Sequence, residues 1–198
     1  MSFYKESCDI FRLKVPFEDL YTSVFLIRTK KVNILVDCAT TDSDVDEYIV
    51  PALNELGLDL DDIKYLVLTH LHGDHAGGKS RILSLSPNIQ VVQSSMNLEI
   101  DDIILIEMKG HTLDSIGVFD KRSSTLISGD GLQGAGVKKY RCLLEDKKEY
   151  FNTIENTRKD KRIKNILFSH AYEPWNADCV FGRSNVEKVL TDCINCAK

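Results

Sequence analysis

Three of the five histidines in the chain lie in one six-residue segment, His-Leu-His-Gly-Asp-His, which begins at residue 70. An apolar strand is predicted directly before it, at residues 63–68. Because alternate side chains of a strand point to the same face, His70 and His72 can converge on one point. The glycine lets the backbone turn, so Asp74 and His75 can face a neighbouring point. The segment therefore requires a fold that gathers imidazole and carboxylate groups at the end of a strand.

The other two histidines, His111 and His170, each follow a small residue at a predicted element boundary. A single histidine is usually a hydrogen-bonded core residue, but imidazole is also the commonest metal ligand among side chains. Nitrogen and carboxylate ligands without thiolate suit Zn, Fe or Mn. Seven candidates are too many for one four-coordinate ion and about right for two. The candidate ligands are His70, His72, Asp74, His75, His111, Asp130 and His170.

Composition limits the function classes. A length of 198 residues, 43% of them hydrophobic, fits one domain over residues 1–198 with a sizeable core. The net charge of −5 gives no electrostatic footprint for nucleic acid or an anionic membrane. No apolar run approaches the roughly 20 residues that span a bilayer, and the polar N-terminus lacks a signal-peptide pattern. We therefore expect a cytoplasmic protein with a small-molecule substrate, and the sequence leaves a homodimer open.

The six cysteines are expected to be reduced thiols in such a chain. Cys193 and Cys196 form a C-x-x-C segment on a predicted terminal helix. That spacing can belong to a redox pair or to half of a zinc site, but no second C-x-x-C completes a four-cysteine site. Incidental packing is the favoured interpretation.

Hydrophobic periodicity predicts a chain of the α/β class, with runs of strands that are each closed by a helix. A hairpin tip is expected at residues 30–31 and a glycine-rich loop at 131–136. The predicted strands are 11–15, 22–29, 32–36, 63–68, 89–92, 103–108, 116–119, 125–127 and 163–168, and the predicted helices are 42–56, 76–83, 144–159 and 185–194.

Several segments together resemble the motifs of the metallo-β-lactamase superfamily, in that family's order and over nearly the whole chain. They are residues 34–37, 61–68, 69–78, 110–112, 128–130 and 169–170. The resemblance implies an αββα sandwich of two mixed sheets flanked by helices, with the metals at one edge between the sheets. It is nearest to the hydroxyacylglutathione hydrolase branch, in a minimal single-domain form.

The resemblance also implies two divalent metal ions, with zinc expected and iron or manganese as alternatives. The implied ligands are His70, His72 and His111 for the first ion, Asp74, His75 and His170 for the second, and Asp130 as the bridge. The reaction it implies is hydrolysis by a metal-bridging hydroxide, since a bound cation lowers the pKa of water to about 7.

Some further residues have expected roles beside these ligands. Asp74 is the candidate catalytic residue, which would orient the nucleophile or take up a proton. Asp37 and Ser115 are candidates for orienting the ligands, although Asp37 is equally suited to capping a strand end. In the family, glycine is common where Asp114 stands, which puts the loop shape beside His111 in question.

The loop that follows Asp130 is the main indication of substrate. Lys139 and Tyr140 resemble the lysine and aromatic residue that hydroxyacylglutathione hydrolases bring to their substrate. Lysine would hold an anionic group and tyrosine would donate to a carbonyl oxygen. A solvated basic turn before a helix is the structural alternative. Trp175, the only tryptophan, would either line a pocket or pack in the core.

The expected function is a dinuclear metal-dependent hydrolase acting on a thioester, ester or lactone. The enzyme alternatives are a mononuclear-iron sulfur (persulfide) dioxygenase and a phosphodiesterase. An alternative from another class is a non-catalytic metal-binding sensor or scaffold. Fold alone does not select among these, because the superfamily hosts many reactions.

Overall fold

The computed structural model describes residues 1–93 and 99–198, which form two compact units. The first unit is Met1–Gln93, and the second comprises the described residues from 99 onwards. Each unit contains one six-stranded mixed sheet flanked by helices. The expected α/β class with two mixed sheets is confirmed, and the single domain over residues 1–198 stays a prediction.

In the first unit the six strands follow one another in chain order across the sheet. Strands β1 to β4 are antiparallel neighbours, whereas β4, β5 and β6 run parallel. The strands are β1 (Tyr4–Ser7), β2 (Ile10–Phe17), β3 (Leu20–Arg28), β4 (Asn33–Val36), β5 (Ile63–Val67) and β6 (Gln90–Val92). The helices are α1 (Asp42–Asp44), a π-helical turn (Val45–Ile49), α2 (Val50–Glu55), a 3₁₀ turn (Leu60–Asp62), α3 (Gly73–Ala76) and α4 (Lys79–Leu85).

Local sequence explains where the first helical segment begins and ends. Thr41 accepts a hydrogen bond from the backbone N–H of Asp44, and the Asp44 carboxylate accepts from the Thr41 N–H in return, which completes a capping box. Gly57 follows the helix with φ +73°, a left-handed conformation that suits glycine. The buried faces of this segment and of the strands share one apolar core, in which Leu26, Leu35 and Leu53 are fully buried.

Close packing places the histidine-containing segment against the end of β4. The Gly77 N–H donates to the Ala39 carbonyl at 3.0 Å, and a Cβ on Gly77 would lie 2.4 Å from the Thr40 carbonyl carbon. The Cys38 N–H donates to the His75 carbonyl at 2.8 Å. The small residue at position 77 is therefore what allows α3 to approach the loop after β4.

In the second unit the strands lie in the order β14-β13-β10-β9-β8-β7, and only β10 and β13 are parallel neighbours among the described strands of that sheet. A separate two-stranded hairpin is formed by β11 and β12. The strands are β7 (Glu99–Ile100), β8 (Ile103–Glu107), β9 (Ile116–Asp120), β10 (Thr125–Ile127), β11 (Gly136–Val137), β12 (Tyr140–Arg141), β13 (Asn165–Tyr172) and β14 (Ala177–Phe181). The helices are α5 (Lys147–Lys159) and α6 (Arg183–Ala197).

Most predicted elements are present, with some boundaries moved. Strand β13 continues to Tyr172, so His170 lies inside a strand and the prediction that it stands at an element boundary was wrong. The predicted helix at 76–83 is two short helices, α3 and α4. Helix α5 begins after Asp146, whose carboxylate accepts from the Lys148 and Glu149 N–H groups and caps the helix. Strands β1, β7, β11, β12 and β14 were not predicted.

No helix in the described ranges is long and apolar enough to cross a membrane.

Candidate metal centre

Four of the candidate ligands come together in the first unit, immediately after β5. His70 and His75 are buried and their ring centroids lie 4.2 Å apart, whereas His72 is exposed with its ring 4.7 Å from that of His70. A ring nitrogen of His75 lies 3.4 Å from Asp74 Oδ2. The end of β5 and the first turn of α3 thus bring three imidazoles and a carboxylate to one place.

A buried carboxylate orients His75. Asp37 Oδ2 lies 2.8 Å from His75 Nδ1, and the same carboxylate accepts hydrogen bonds from the N–H and hydroxyl of Thr69 at 2.7 and 2.8 Å. An ionised carboxylate only accepts, so Nδ1 carries the proton and Nε2 presents its lone pair. This is the arrangement in which metal-binding histidines are commonly held.

Asp37 itself adopts φ +62° at the end of β4, a conformation that aspartate tolerates better than most residues. A second support acts on Asp74, because the Thr22 hydroxyl of β3 donates to its Oδ2 at 3.2 Å. Thr22 is fully buried, while the Asp74 side chain keeps 16% of its surface exposed. Asp74 is thus held from the sheet and remains accessible to a small molecule.

The other three candidate ligands come together in the second unit, around Asp130. Its Oδ2 lies 3.6 Å from His111 Nε2, and its Oδ1 lies 3.7 Å from His170 Nε2. Both histidines are buried, and the Asp130 side chain is 12% exposed. One carboxylate therefore has a histidine beside each of its two oxygens.

The loop after Asp130 supports His111. His111 Nδ1 lies 2.7 Å from the Leu143 carbonyl oxygen, and the other ring nitrogen, Nε2, faces Asp130 Oδ2. Gln133 Nε2 lies 2.5 Å from His111 Nδ1, and Gln133 Oε1 accepts from the Leu143 N–H at 3.1 Å. The His111 carbonyl accepts from the Glu145 N–H at 3.1 Å. His111 is thus fixed through both its ring and its backbone.

The donor chemistry fits Zn, Fe or Mn, because the groups brought together are imidazole nitrogens and carboxylate oxygens. Cys38 lies beside the site and its Sγ donates to the His75 carbonyl at 3.3 Å. Burial, together with the negative charge of Asp37, raises the pKa of the Cys38 thiol. Because only a thiolate binds metal well, Cys38 acts here as a packing residue.

The two cysteines of the C-x-x-C segment on α6 are also packing residues. Cys193 is buried and Cys196 is exposed, and both are free thiols. Burial raises the pKa of Cys193 to about 12. A redox pair relies on a readily formed thiolate, so this environment supports the packing interpretation.

The remaining sequence candidates have different surroundings. Lys139 and Tyr140 lie on the β11–β12 hairpin, where the exposed lysine has its Nζ 5.0 Å from the Tyr140 ring centroid. Ser115 contacts Thr112, with 2.6 Å between the two hydroxyl oxygens. Asp114 is not among the described residues with positive φ, so the loop beside His111 does not require glycine there. The Trp175 ring stacks on Phe168 with 5.2 Å between the ring centroids, which favours packing over lining a pocket.

Three supporting residues were missed by the sequence reasoning. Thr22 lies 52 residues before Asp74, and no local pattern connects them. Gln133 stood in the predicted glycine-rich loop but was not singled out. Tyr172, whose hydroxyl donates to Asp130 Oδ1 at 2.7 Å, could have been found from its place two residues after His170, because such residues share one face of a strand.

Three known proteins are similar to the chain in sequence. A beta-lactamase-like protein 2 homolog of Caenorhabditis elegans is 28% identical over 78% of the chain and 57% of its own length. A hydroxyacylglutathione hydrolase of Prochlorococcus marinus is 28% identical over 65% of the chain and 64% of its own length. An atrochrysone carboxyl ACP thioesterase of Claviceps purpurea is 22% identical over 59% of the chain and 41% of its own length. The chain thus spans between 41% and 64% of the length of these three relatives.

Solved structures share the fold. The metallo-beta-lactamase FIM-1 of Pseudomonas aeruginosa, determined in a mono-zinc form, superposes with a TM-score of 0.74 at 15% identity and covers 99% of this chain and 96% of its own. Residues 18–95, which include the His70–His75 segment, match the sequence profile of the metallo-beta-lactamase superfamily. Residues 18–95 are therefore similar to the metallo-beta-lactamase superfamily, and the chain shares the fold of a solved metallo-beta-lactamase.

Proposed function

We propose that the chain is a metal-dependent hydrolase that binds two divalent metal ions, with zinc as the expected metal. One observation carries the proposal. In each unit a histidine has its Nδ1 at hydrogen-bonding distance from an oxygen atom, and its Nε2 lies beside an aspartate oxygen. The two separations are 3.4 Å for His75 and Asp74 and 3.6 Å for His111 and Asp130. Orientation by a hydrogen bond on Nδ1 is typical of histidines that bind metals and is not needed for packing alone.

The proposed ligands follow the resemblance residue by residue. They are His70, His72 and His111 for one ion, Asp74, His75 and His170 for the other, and Asp130 between them. When bound, two such ions would lower the pKa of water to about 7 and polarise a carbonyl oxygen. The number of ions and their identity belong to this proposal.

The side chain assigned to proton handling is Asp74. Its carboxylate is held by the Thr22 hydroxyl at 3.2 Å and is still partly exposed. A carboxylate in this position can accept a proton from an attacking water and orient it by a hydrogen bond. Asp130 is less exposed and is flanked by two histidines, which suits a ligand rather than a base.

The proposed substrate is a small molecule with a thioester, ester or lactone bond. The names of two relatives, a hydroxyacylglutathione hydrolase and an ACP thioesterase, support the thioester. Lys139 is assigned to an anionic group of the substrate and Tyr140 to a carbonyl oxygen. Lys139 lies at the exposed tip of its hairpin, where a long cationic side chain can reach a ligand.

The test is a substrate panel assayed with zinc-loaded, chelated and zinc-restored protein. We expect turnover of thioesters, esters or lactones that disappears on chelation and returns with zinc. Lys139→Ala should raise KM for an anionic substrate about tenfold or more, since a hydrogen bond to a charged group contributes about 1.5–3 kcal/mol. Lys188→Ala on α6 is the matched control and should leave KM unchanged.

Three outcomes would overturn the proposal. The first is that no member of the panel turns over in metal-loaded protein. The second is that phosphodiesters alone turn over. The third is that the purified protein holds one iron and consumes oxygen with a persulfide, which would identify a dioxygenase.

A further inference from the structure

The hydroxyl of Tyr172 makes a short hydrogen bond to the central carboxylate of the second unit. Tyr172 Oη donates to Asp130 Oδ1 at 2.7 Å, and the tyrosine is 2% exposed. Hydrogen bonds to an ionised acceptor are stronger than neutral ones and set the acceptor's orientation. This bond therefore acts directly on a proposed metal ligand.

The backbone alone does not set the rotation of that carboxylate. Asp130 lies in the turn after β10, next to Gly129, which has φ +52°. Yet the two carboxylate oxygens face different histidines, Oδ2 facing His111 at 3.6 Å and Oδ1 facing His170 at 3.7 Å. Rotation of the carboxylate group would turn its oxygens away from these two histidines. A fixed hydrogen-bond donor on one oxygen opposes that rotation.

The donor is itself rigidly held. The Tyr172 ring makes edge-to-face contacts with Phe168 at 6.0 Å and with His170 at 5.7 Å between centroids. Phe168 is in turn stacked on Trp175. Aromatic packing of this kind favours one ring position, so the hydroxyl reaches Asp130 from a fixed direction.

We propose that Tyr172 is a positioning residue for metal binding, which holds the Asp130 carboxylate with one oxygen toward each histidine. This inference rests on the proposed metal site but not on any particular substrate. It separates two roles on β13, where His170 is a ligand and Tyr172, two residues later, orients the bridging ligand. Partners of this kind typically change metal affinity by 10- to 100-fold.

The test is zinc affinity, measured without substrate by competition with a chromophoric chelator, in the full chain and in Tyr172→Phe. Phenylalanine keeps the ring contacts with Phe168 and His170 and removes only the hydroxyl. We expect at least a tenfold loss of zinc affinity. Tyr48→Phe removes a hydroxyl from the helical segment of the first unit and should bind zinc as tightly as the unchanged chain.

A cobalt(II) spectrum supplies a second readout that packing alone would not move. Replacing zinc with cobalt should give visible absorption bands that shift in Tyr172→Phe and not in Tyr48→Phe, because these bands respond to ligand geometry. Equal zinc affinities and equal spectra in the full chain and Tyr172→Phe would overturn the role of Tyr172 and leave the proposed function in place. Tighter binding by Tyr172→Phe would also overturn it, since the hydroxyl would then compete with the metal. Failure of the unchanged chain to bind zinc would overturn the proposed function as well.

Discussion

At the scale of single residues, the proposed ligands depend on side chains that are not ligands themselves. Asp37 orients His75, Thr22 orients Asp74, and Gln133 contacts His111. Each support comes from a different part of the chain. The functional geometry is therefore sensitive to substitutions that leave every proposed ligand in place.

Asp37→Asn tests this dependence. The backbone change is mild, because asparagine also tolerates the positive φ of this position. Its amide nitrogen would nevertheless face donors that now point at a carboxylate, namely His75 Nδ1 and the Thr69 N–H and hydroxyl. We expect zinc affinity to fall 10- to 100-fold and the free energy of unfolding to fall by about 1–3 kcal/mol. Chelator competition and urea unfolding measure the two effects.

Asp46→Asn is the matched control. Asp46 is 46% exposed and pairs with Arg81 on the surface, and exposed pairs of this kind contribute little to stability. Its zinc affinity should equal that of the unchanged chain. An unaltered affinity in Asp37→Asn would contradict the role given to Asp37.

At the scale of elements, local pattern predicted the strand-to-helix unit that carries the histidine segment, but not every strand around it. Strand β5 has a clear apolar run, and its end was placed within one residue. Strand β14 has the mixed sequence Ala-Asp-Cys-Val-Phe and depends on pairing with β13. Pairing with β14 also carries β13 past His170, which no local periodicity indicates. Strands β11 and β12 have two residues each, too few for an alternation to be recognised.

In the candidate site, too, local motifs predicted some residues and not others. All seven proposed ligands were predicted from residue type, spacing and family resemblance, because these properties lie within short motifs, and their role stays a prediction. The supports Thr22 and Gln133 were not found, since their partners lie 52 and 22 residues away in the chain. Contacts of that kind depend on tertiary packing, which one sequence does not specify locally.

Gly110→Ala tests how closely α5 must approach the turn that carries His111. Gly110 has φ +132°, and a Cβ there would lie 2.4 Å from Tyr150 Cα. Backbone strain and overpacking should together lower the free energy of unfolding by about 2–5 kcal/mol. Urea unfolding measures this loss. Gly57→Ala is the control, because φ is +73° but nothing lies within 4 Å; it should lose only about 1–2 kcal/mol. Equal losses in the two variants would contradict the close approach.

At the scale of the whole molecule, each unit has its own sheet and helices, and the proposed ligands are drawn from both. Four proposed ligands follow β5 in the first unit, and the other three are Asp130 and the two histidines beside it in the second. Through these side chains the native chain should bind metal far more tightly than the unfolded chain does. Metal binding should therefore stabilise folding by mass action.

Zinc should therefore raise the melting temperature. At a free zinc concentration of 100 times Kd, the expected stabilisation is about 2.7 kcal/mol. For a chain of this length that corresponds to roughly 5–10 °C. Thermal unfolding followed by circular dichroism, with zinc and with excess chelator, measures the shift. Calcium at the same free concentration is the control, since imidazole-rich sites do not suit it. Identical melting temperatures with zinc and with chelator would contradict metal binding by the folded chain.

The zinc content of the protein shows whether the seven proposed histidine and aspartate ligands bind metal. Protein loaded with zinc and then desalted would be analysed for zinc and protein concentration together, for the unchanged chain, His111→Ala and Asp46→Asn. We expect about two zinc ions per chain in the unchanged chain and in Asp46→Asn, and a clear deficit in His111→Ala. No retained zinc in the unchanged chain, or the same zinc content in His111→Ala, would contradict this expectation.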